Sequence, residues 1–321
     1  MSDNTQRPLV VCFGEILWDI FPTYKKIGGA PLNVAYHLHK MNIDSHIITK
    51  LGNDDGGQKI LSRLKEVDAC TKYIQVDPSQ KTGTVFATFD DKNEASYEFL
   101  KNSAWDFIDF KQEDYDLVAQ SDAFVFGTLA SRTAHTRETL HKLLDAAKYK
   151  VYDVNFRPPH YDLDAVIELM HKADLLKMNK FELKEVLTHL EQPYTTEEEA
   201  IKFAQKHFNC DEIIVSKGDK GGMYLNKEML YSFPAVDIVI RDTVGSGDSF
   251  LAGFLAAKLR GDDPIRVIKR AASLGAFVTS HTGANPEYET EDFELFYQDT
   301  IFKDELITCK NILEEAKNPV K

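Results

Sequence analysis

From Ala123 to Lys217 short apolar runs alternate with amphipathic segments, and this alternation restricts the fold more than any other feature of the chain. Ala123 to Gly127, Lys150 to Asn155, Leu175 to Met178 and Glu212 to Lys217 read as strands. Thr133 to Lys148, Leu163 to Lys172, Lys180 to Leu190 and Thr195 to Phe208 read as helices. Strands separated by helices pair in parallel, and the helices then cover both faces of the sheet. The predicted fold class is α/β with a mostly parallel central sheet.

The first part of the chain begins the same way. Leu9 to Phe13 is a continuous apolar run ended by Gly14, as in a buried parallel strand. Leu17 to Phe21 is a second extended piece. Pro31 suits the first turn of a helix over Leu32 to Met41. Ser45 to Leu51 reads as a strand and Gly57 to Val67 as a helix. Tyr73 to Phe99 departs from this pattern. Val85, Ala87 and Phe89 alternate with Phe86, Thr88 and Asp90, and Asp90 to Asn93 reads as a turn, so an antiparallel hairpin is expected. With Leu17 to Phe21 it would make a small separate sheet. Gly222 to Leu225 and Leu230 to Phe233 read as a later hairpin, Pro264 to Thr279 as a helix, and the charged tail as a surface helix. No linker or repeat interrupts the chain. The expectation is one domain, 1–321, with a β lid from segments 15–30 and 73–100.

The net charge of −13 argues against nucleic acid or an anionic membrane as partner. No run approaches the apolar length of a membrane-spanning helix. Cys12, Cys70, Cys210 and Cys309 are widely spaced and show no Cys-x-x-Cys, which fits reduced thiols in a cytoplasmic protein. The histidines show no metal-ligand spacing, which disfavours zinc.

The chemistry concentrates in Asp242-Thr243-Val244-Gly245-Ser246-Gly247-Asp248. Gly245 and Gly247 let backbone N–H groups converge. From Phe250 a helix is expected, with Phe250, Leu251, Phe254, Leu255 and Leu259 on one stripe and Gly261 after its end. Loop amides at a helix N-terminus make an anion site. A carboxylate there, Asp248, makes sense if it takes a proton from a hydroxyl attacking a bound phosphate.

This stretch resembles the C-terminal signature of the ribokinase-like sugar kinases, also called the phosphofructokinase-B family. Gly28-Gly29-Ala30-Pro31-Leu32-Asn33 resembles the N-terminal signature of the same family. The resemblance implies a ribokinase-like fold and an ATP-dependent sugar kinase. Asp248 is then the base, and Gly245, Ser246 and Gly247 complete the anion hole. Asp19, Gly28, Gly29, Asn33 and Arg157 would bind sugar, with Arg157 within Asp153-Val154-Asn155-Phe156-Arg157. Asn179-Lys180-Phe181-Glu182 matches the family's Asn-x-x-Glu, which is associated with Mg²⁺ and the triphosphate. Asn179 and Glu182 also read as a helix capping box. Ser216, Lys217, Gly218 and Gly221 would contact the nucleotide, though alone they read as a hairpin turn. Gly283 and Ala284 would border adenine, and Asp242 a K⁺ site.

Glu15, Trp18 and Asp153 to Arg157 are similar to the fructokinase branch, which implies fructose as substrate and fructose 6-phosphate as product. Ala30 and Ala272 depart from the ribokinase branch and weaken a ribose assignment. Another hexose, a 2-keto-3-deoxy sugar acid, ribose or a nucleoside are the alternatives. A non-catalytic sugar or nucleotide sensor is the reading outside the kinases, and Asp248 argues against it. A dinucleotide oxidoreductase lacks its Gly-x-Gly-x-x-Gly, and Gln58 stands where a Walker loop needs Lys. A lid sheet with apolar alternation suits pairing into a homodimer.

Overall fold

The structure is a computed structural model that describes residues 7–67, 69–89, 95–299 and 306–313. It divides into two compact units, Met1–Lys148 and Tyr149–Lys321.

The first unit is built on four parallel strands. These are β1 (Leu9–Phe13), β4 (Asp44–Gly52), β5 (Ile74–Asp77) and β8 (Ala123–Gly127), in the order β8-β1-β4-β5. Val10 to Phe13 are fully buried, so both faces of β1 are covered. Helices α1 (Ala30–Lys40), α2 (Asp55–Glu66), α3 (Gln112–Gln120) and α4 (Ala134–Leu144) complete the unit. A separate small sheet runs β3-β2-β6-β7, from β2 (Leu17–Ile20), β3 (Lys25–Gly28), β6 (Gly83–Phe89) and β7 (Ala95–Phe99). The β6–β7 pair is antiparallel, as the alternation implied, and β2 joins β6 in parallel to complete the expected small sheet. The turn expected at Asp90 to Asn93 lies outside the described residues.

One boundary is corrected here. Ile74–Asp77 does not belong to the hairpin but pairs in parallel with β4. Its buried Gln75 and Asp77 disguise it as a polar connector. Strand β3 and helix α3 were not legible either: β3 carries two lysines, and α3 has few apolar residues.

The second unit has β9 (Lys150–Asp153), β10 (Leu175–Asn179) and β11 (Glu212–Ser216) in parallel. Beyond β11 follow β12 (Gly222–Asn226), β13 (Met229–Phe233) and β14 (Thr308–Asn311), each antiparallel to the one before. The helices are α5 (Leu163–Met170), α6 (Lys180–His189), α7 (Glu197–Phe208), α8 (Ser246–Leu259), α9 (Pro264–Thr279) and α10 (Thr290–Asp299). The tail is therefore not helical throughout: Thr308–Asn311 extends the sheet, because β13 offers it an open edge.

Helix α8 also differs from expectation. It starts at Ser246, not Phe250, with Gly245 as N-cap in the left-handed region at φ 78°. Nor does it carry a single apolar stripe, since Ser249 and every residue from Leu251 to Ala257 are buried. Gly253 explains part of this. A methyl group there would meet Ala271 Cα at 3.1 Å, so α8 and α9 approach at backbone distance. A helix enclosed on all sides loses the amphipathic signature of a surface helix.

Candidate active site

In the first unit the sugar-site candidates converge around the turn into α1. A methyl at Gly29 would lie 2.3 Å from the Glu15 carbonyl oxygen, and φ is 119° there, so only glycine fits. Glu15 Oε1 accepts from Ala30 N at 3.1 Å, which fixes the start of α1 with an anion at its N-terminus. Asn33 N donates to Gly29 O at 3.0 Å, and Asn33 is buried. Asp19, on β2, is paired across to Lys26 on β3. Its carboxylate fills the space above Gly28: a methyl there would stand 2.1 Å from Asp19 Oδ2. Asp19, Gly28, Gly29 and Asn33 are thus one cluster. Trp18 has a structural explanation of its own, since Nε1 donates to Gly56 O at 3.2 Å and ties β2 to the start of α2.

In the second unit Asp248 occupies the third position of α8, half-buried. The amides of a helix's first turn point outward along the axis, so the anion site is the helix end itself. Gly245 backs onto Ala284, whose Cα would be 2.6 Å from an added methyl. Asp242 holds this arrangement together. Its Oδ1 accepts from Val244 N at 3.0 Å and its Oδ2 from Gly283 N at 2.8 Å. One carboxylate thereby links the turn before α8 to the loop after α9.

A second group gathers at the ends of β9 and β10. Asn179 Oδ1 accepts from Phe181 N and Glu182 N, and Glu182 Oε2 accepts from Asn179 N at 2.7 Å, which is a complete capping box. Glu182 Oε1 accepts from Phe156 N at 2.9 Å. Burial pushes the Glu182 carboxyl above its ordinary range, against the pull of those amides. Each oxygen keeps a further lone pair, so the group suits a water of a hydrated cation better than direct ligation. Arg157 is exposed and Nη1 donates to Phe156 O, so it is not drawn into this group. Ser216 pairs with Gly222, and Lys217 N donates to Gly221 O at 2.8 Å, which makes Ser216 to Gly221 the β11–β12 hairpin turn with Gly218 exposed.

Sequence reasoning missed Lys177. It is buried, and Nζ donates to Asp153 Oδ2 at 2.7 Å. Burial alone would depress its pKa, but the adjacent Asp153, with Asp248 and Glu182 farther off, holds it above the usual lysine range. The signal was present: a lysine between Leu176 and Met178 in a strand buried on both faces needs a partner.

Among the described residues no helix is long and apolar enough to cross a membrane.

Solved structures share this architecture. A fructokinase from Xylella fastidiosa with bound ATP superimposes with a TM-score of 0.81 at 20% identity, covering 91% of this chain and 98% of that one. A fructokinase double mutant from Vibrio cholerae O395, in a form with fructose, ADP and potassium ion bound, gives 0.77 at 19% identity, covering 90% and 98%. The fold is thus the ribokinase-like α/β fold. The pfkB family carbohydrate kinase model matches residues 9–291, and the chain belongs to that family. Among curated relatives, the probable fructokinase-6, chloroplastic, of Arabidopsis thaliana is 27% identical over 320 residues, which is 91% of this chain and 82% of that protein.

Proposed function

We propose that this carbohydrate kinase transfers the γ-phosphoryl group of Mg-ATP to a primary hydroxyl of a sugar, fructose giving fructose 6-phosphate. The observation that carries the reading is Asp248, a carboxylate in the first turn of an anion-attracting helix end. Asp248 takes the hydroxyl proton as the sugar oxygen attacks the γ-phosphorus, and the amides of Gly245 to Asp248 hold charge on the transferring group. Asp19, Gly28, Gly29 and Asn33 bind the sugar. The small sheet of β2, β3, β6 and β7 acts as a lid on one ribokinase-like domain and keeps water from competing as acceptor. Its edge is the surface we assign to a homodimer, and the cytoplasm is the compartment.

Asn179, Ser216, Lys217, Gly218, Gly221, Gly283 and Ala284 line the nucleotide side, and Arg157 joins the sugar-binding residues from its exposed loop. Glu182 would hold a water of a bound Mg²⁺, an ion that would supply charge neutralisation at the phosphates. K⁺ would border Asp242, whose carboxylate already links the turn before α8 to the loop after α9. Fructose as the acceptor draws support from the named relatives. The other acceptors are another hexose, a 2-keto-3-deoxy sugar acid, ribose and a nucleoside.

The test is an ADP-release assay with Mg-ATP across these acceptors, with and without K⁺. Fructose is expected to give the highest kcat/KM. Asp248→Asn should retain both substrates and lose at least ~10²-fold in turnover. Unchanged turnover in that variant would remove Asp248 from the role of base.

A further inference from the structure

Lys177 is a buried cation with no part in the transfer described so far. Its side chain is 8% exposed. An ammonium carries three N–H donors, and among the described residues Asp153 Oδ2 is the acceptor given to it. Helix α8 lies close to the same ammonium: a methyl added at Gly247 would lie 3.3 Å from Lys177 Nζ. The cation therefore stands against the second residue of the helix whose end attracts anions. Two donors remain after Asp153 has taken one, and buried donors normally have partners.

We infer that Lys177 is a phosphate-binding residue of this kinase, its ammonium anchored by Asp153 and its remaining donors directed to the terminal phosphate oxygens of ATP. The inference rests on the kinase reading and extends it by one residue. It resolves a charge problem. The chain carries a net charge of −13, and Asp153, Asp248 and Glu182 all act on this locality. A transferring phosphoryl group would otherwise meet carboxylates there, and helix amides supply only partial charge. Lysine presents its charge here as a compact ammonium close to Gly247. A side chain at 247 would crowd the ammonium, since its first carbon would already stand 3.3 Å from Lys177 Nζ.

In the transfer itself Lys177 keeps its proton. The sugar O–H bond breaks and its proton passes to Asp248. The sugar oxygen bonds to the γ-phosphorus, the bond from that phosphorus to the β,γ-bridging oxygen breaks, and ADP leaves with those electrons. Lys177 follows the equatorial oxygens of the group that moves, where charge is spread in the transition state.

The experiment compares MgATP and MgADP binding by calorimetry, without sugar, for the whole protein and for Lys177→Met. Because that variant strands Asp153 in the interior, Lys177→Met with Asp153→Asn is measured alongside, and circular dichroism confirms folding. The expected result is an ATP affinity at least ~10-fold weaker with ADP affinity within about 2-fold, and a kcat lower by ~10–100-fold at unchanged sugar KM. A general loss of structure would weaken both nucleotides and the sugar together. If the folded double variant keeps the native ratio of ATP to ADP affinity, or loses both equally, the inference is overturned. A native protein that binds MgATP but phosphorylates no sugar overturns the acceptor reading and leaves the nucleotide ratio to decide Lys177. One that binds no MgATP overturns both.

Discussion

Gly28→Ala is a one-carbon perturbation whose effect is set by a single distance. The added methyl would begin 2.1 Å from Asp19 Oδ2. Carbon and a carboxylate oxygen need roughly 3.2–3.3 Å, close to the nearest approach of even weak C–H···O pairs. The carboxylate must then withdraw by about 1 Å, and a misplacement of that size can cost ~10²-fold in rate. A charge-assisted hydrogen bond to a sugar hydroxyl contributes about 1.5–3 kcal/mol, which is roughly 10- to 150-fold in kcat/KM, and supplies the same range independently. The assay is steady-state kinetics with fructose varied at saturating Mg-ATP, then the reverse. The sugar kcat/KM should fall within that range while the KM for ATP stays within about 2-fold. Gly28→Ala placed on Asp19→Ala should add little, because the group it displaces is gone. Native sugar kinetics in a folded Gly28→Ala protein would refute the reasoning, since Asp19 would then have no part in holding the acceptor. Additive losses in the double variant would show that Gly28 acts by some route other than Asp19.

Glu182→Gln replaces an acceptor of two backbone amides by a group with one oxygen, so Phe156 N or Asn179 N faces an NH₂ instead. A loss of about 1–3 kcal/mol in stability, read as a lower Tm, is expected. Gly245→Ala forces a side chain onto Ala284 at φ 78° and should lower both Tm and turnover, with sugar binding retained in calorimetry. Asp114 is buried, and that burial pushes its pKa up to about 6. Its folded pKa lies above the unfolded one, so its contribution to stability is greatest below the ordinary value of 3.8 and is lost as pH rises through about 6. Asp114→Asn should therefore raise Tm more at pH 8 than at pH 5 in thermal melts.

Much was legible before any tertiary contact was known. The runs Leu9–Phe13 and Leu175–Met178 are apolar without interruption because parallel strands are buried on both faces, and that composition announces itself. The turn residues Gly29 and Gly245 were equally visible, since close backbone approach at positive φ excludes other residue types there. Elements whose identity depends on a neighbour were not. Ile74–Asp77 is a strand because β4 accepts its backbone and because Lys50 pairs with Asp77 at 3.0 Å. Thr308–Asn311 is a strand because β13 has an edge to fill. Local sequence determined which segments extend or coil and which positions must be small, because these follow from backbone sterics and burial of each segment's own side chains. Tertiary structure alone decided that Asp19 rests on Gly28, that α8 is enclosed, and that Lys177, paired with Asp153, lies against Gly247. Those are meetings between residues distant in the chain, and nothing in a residue's own neighbourhood encodes the partner it will find.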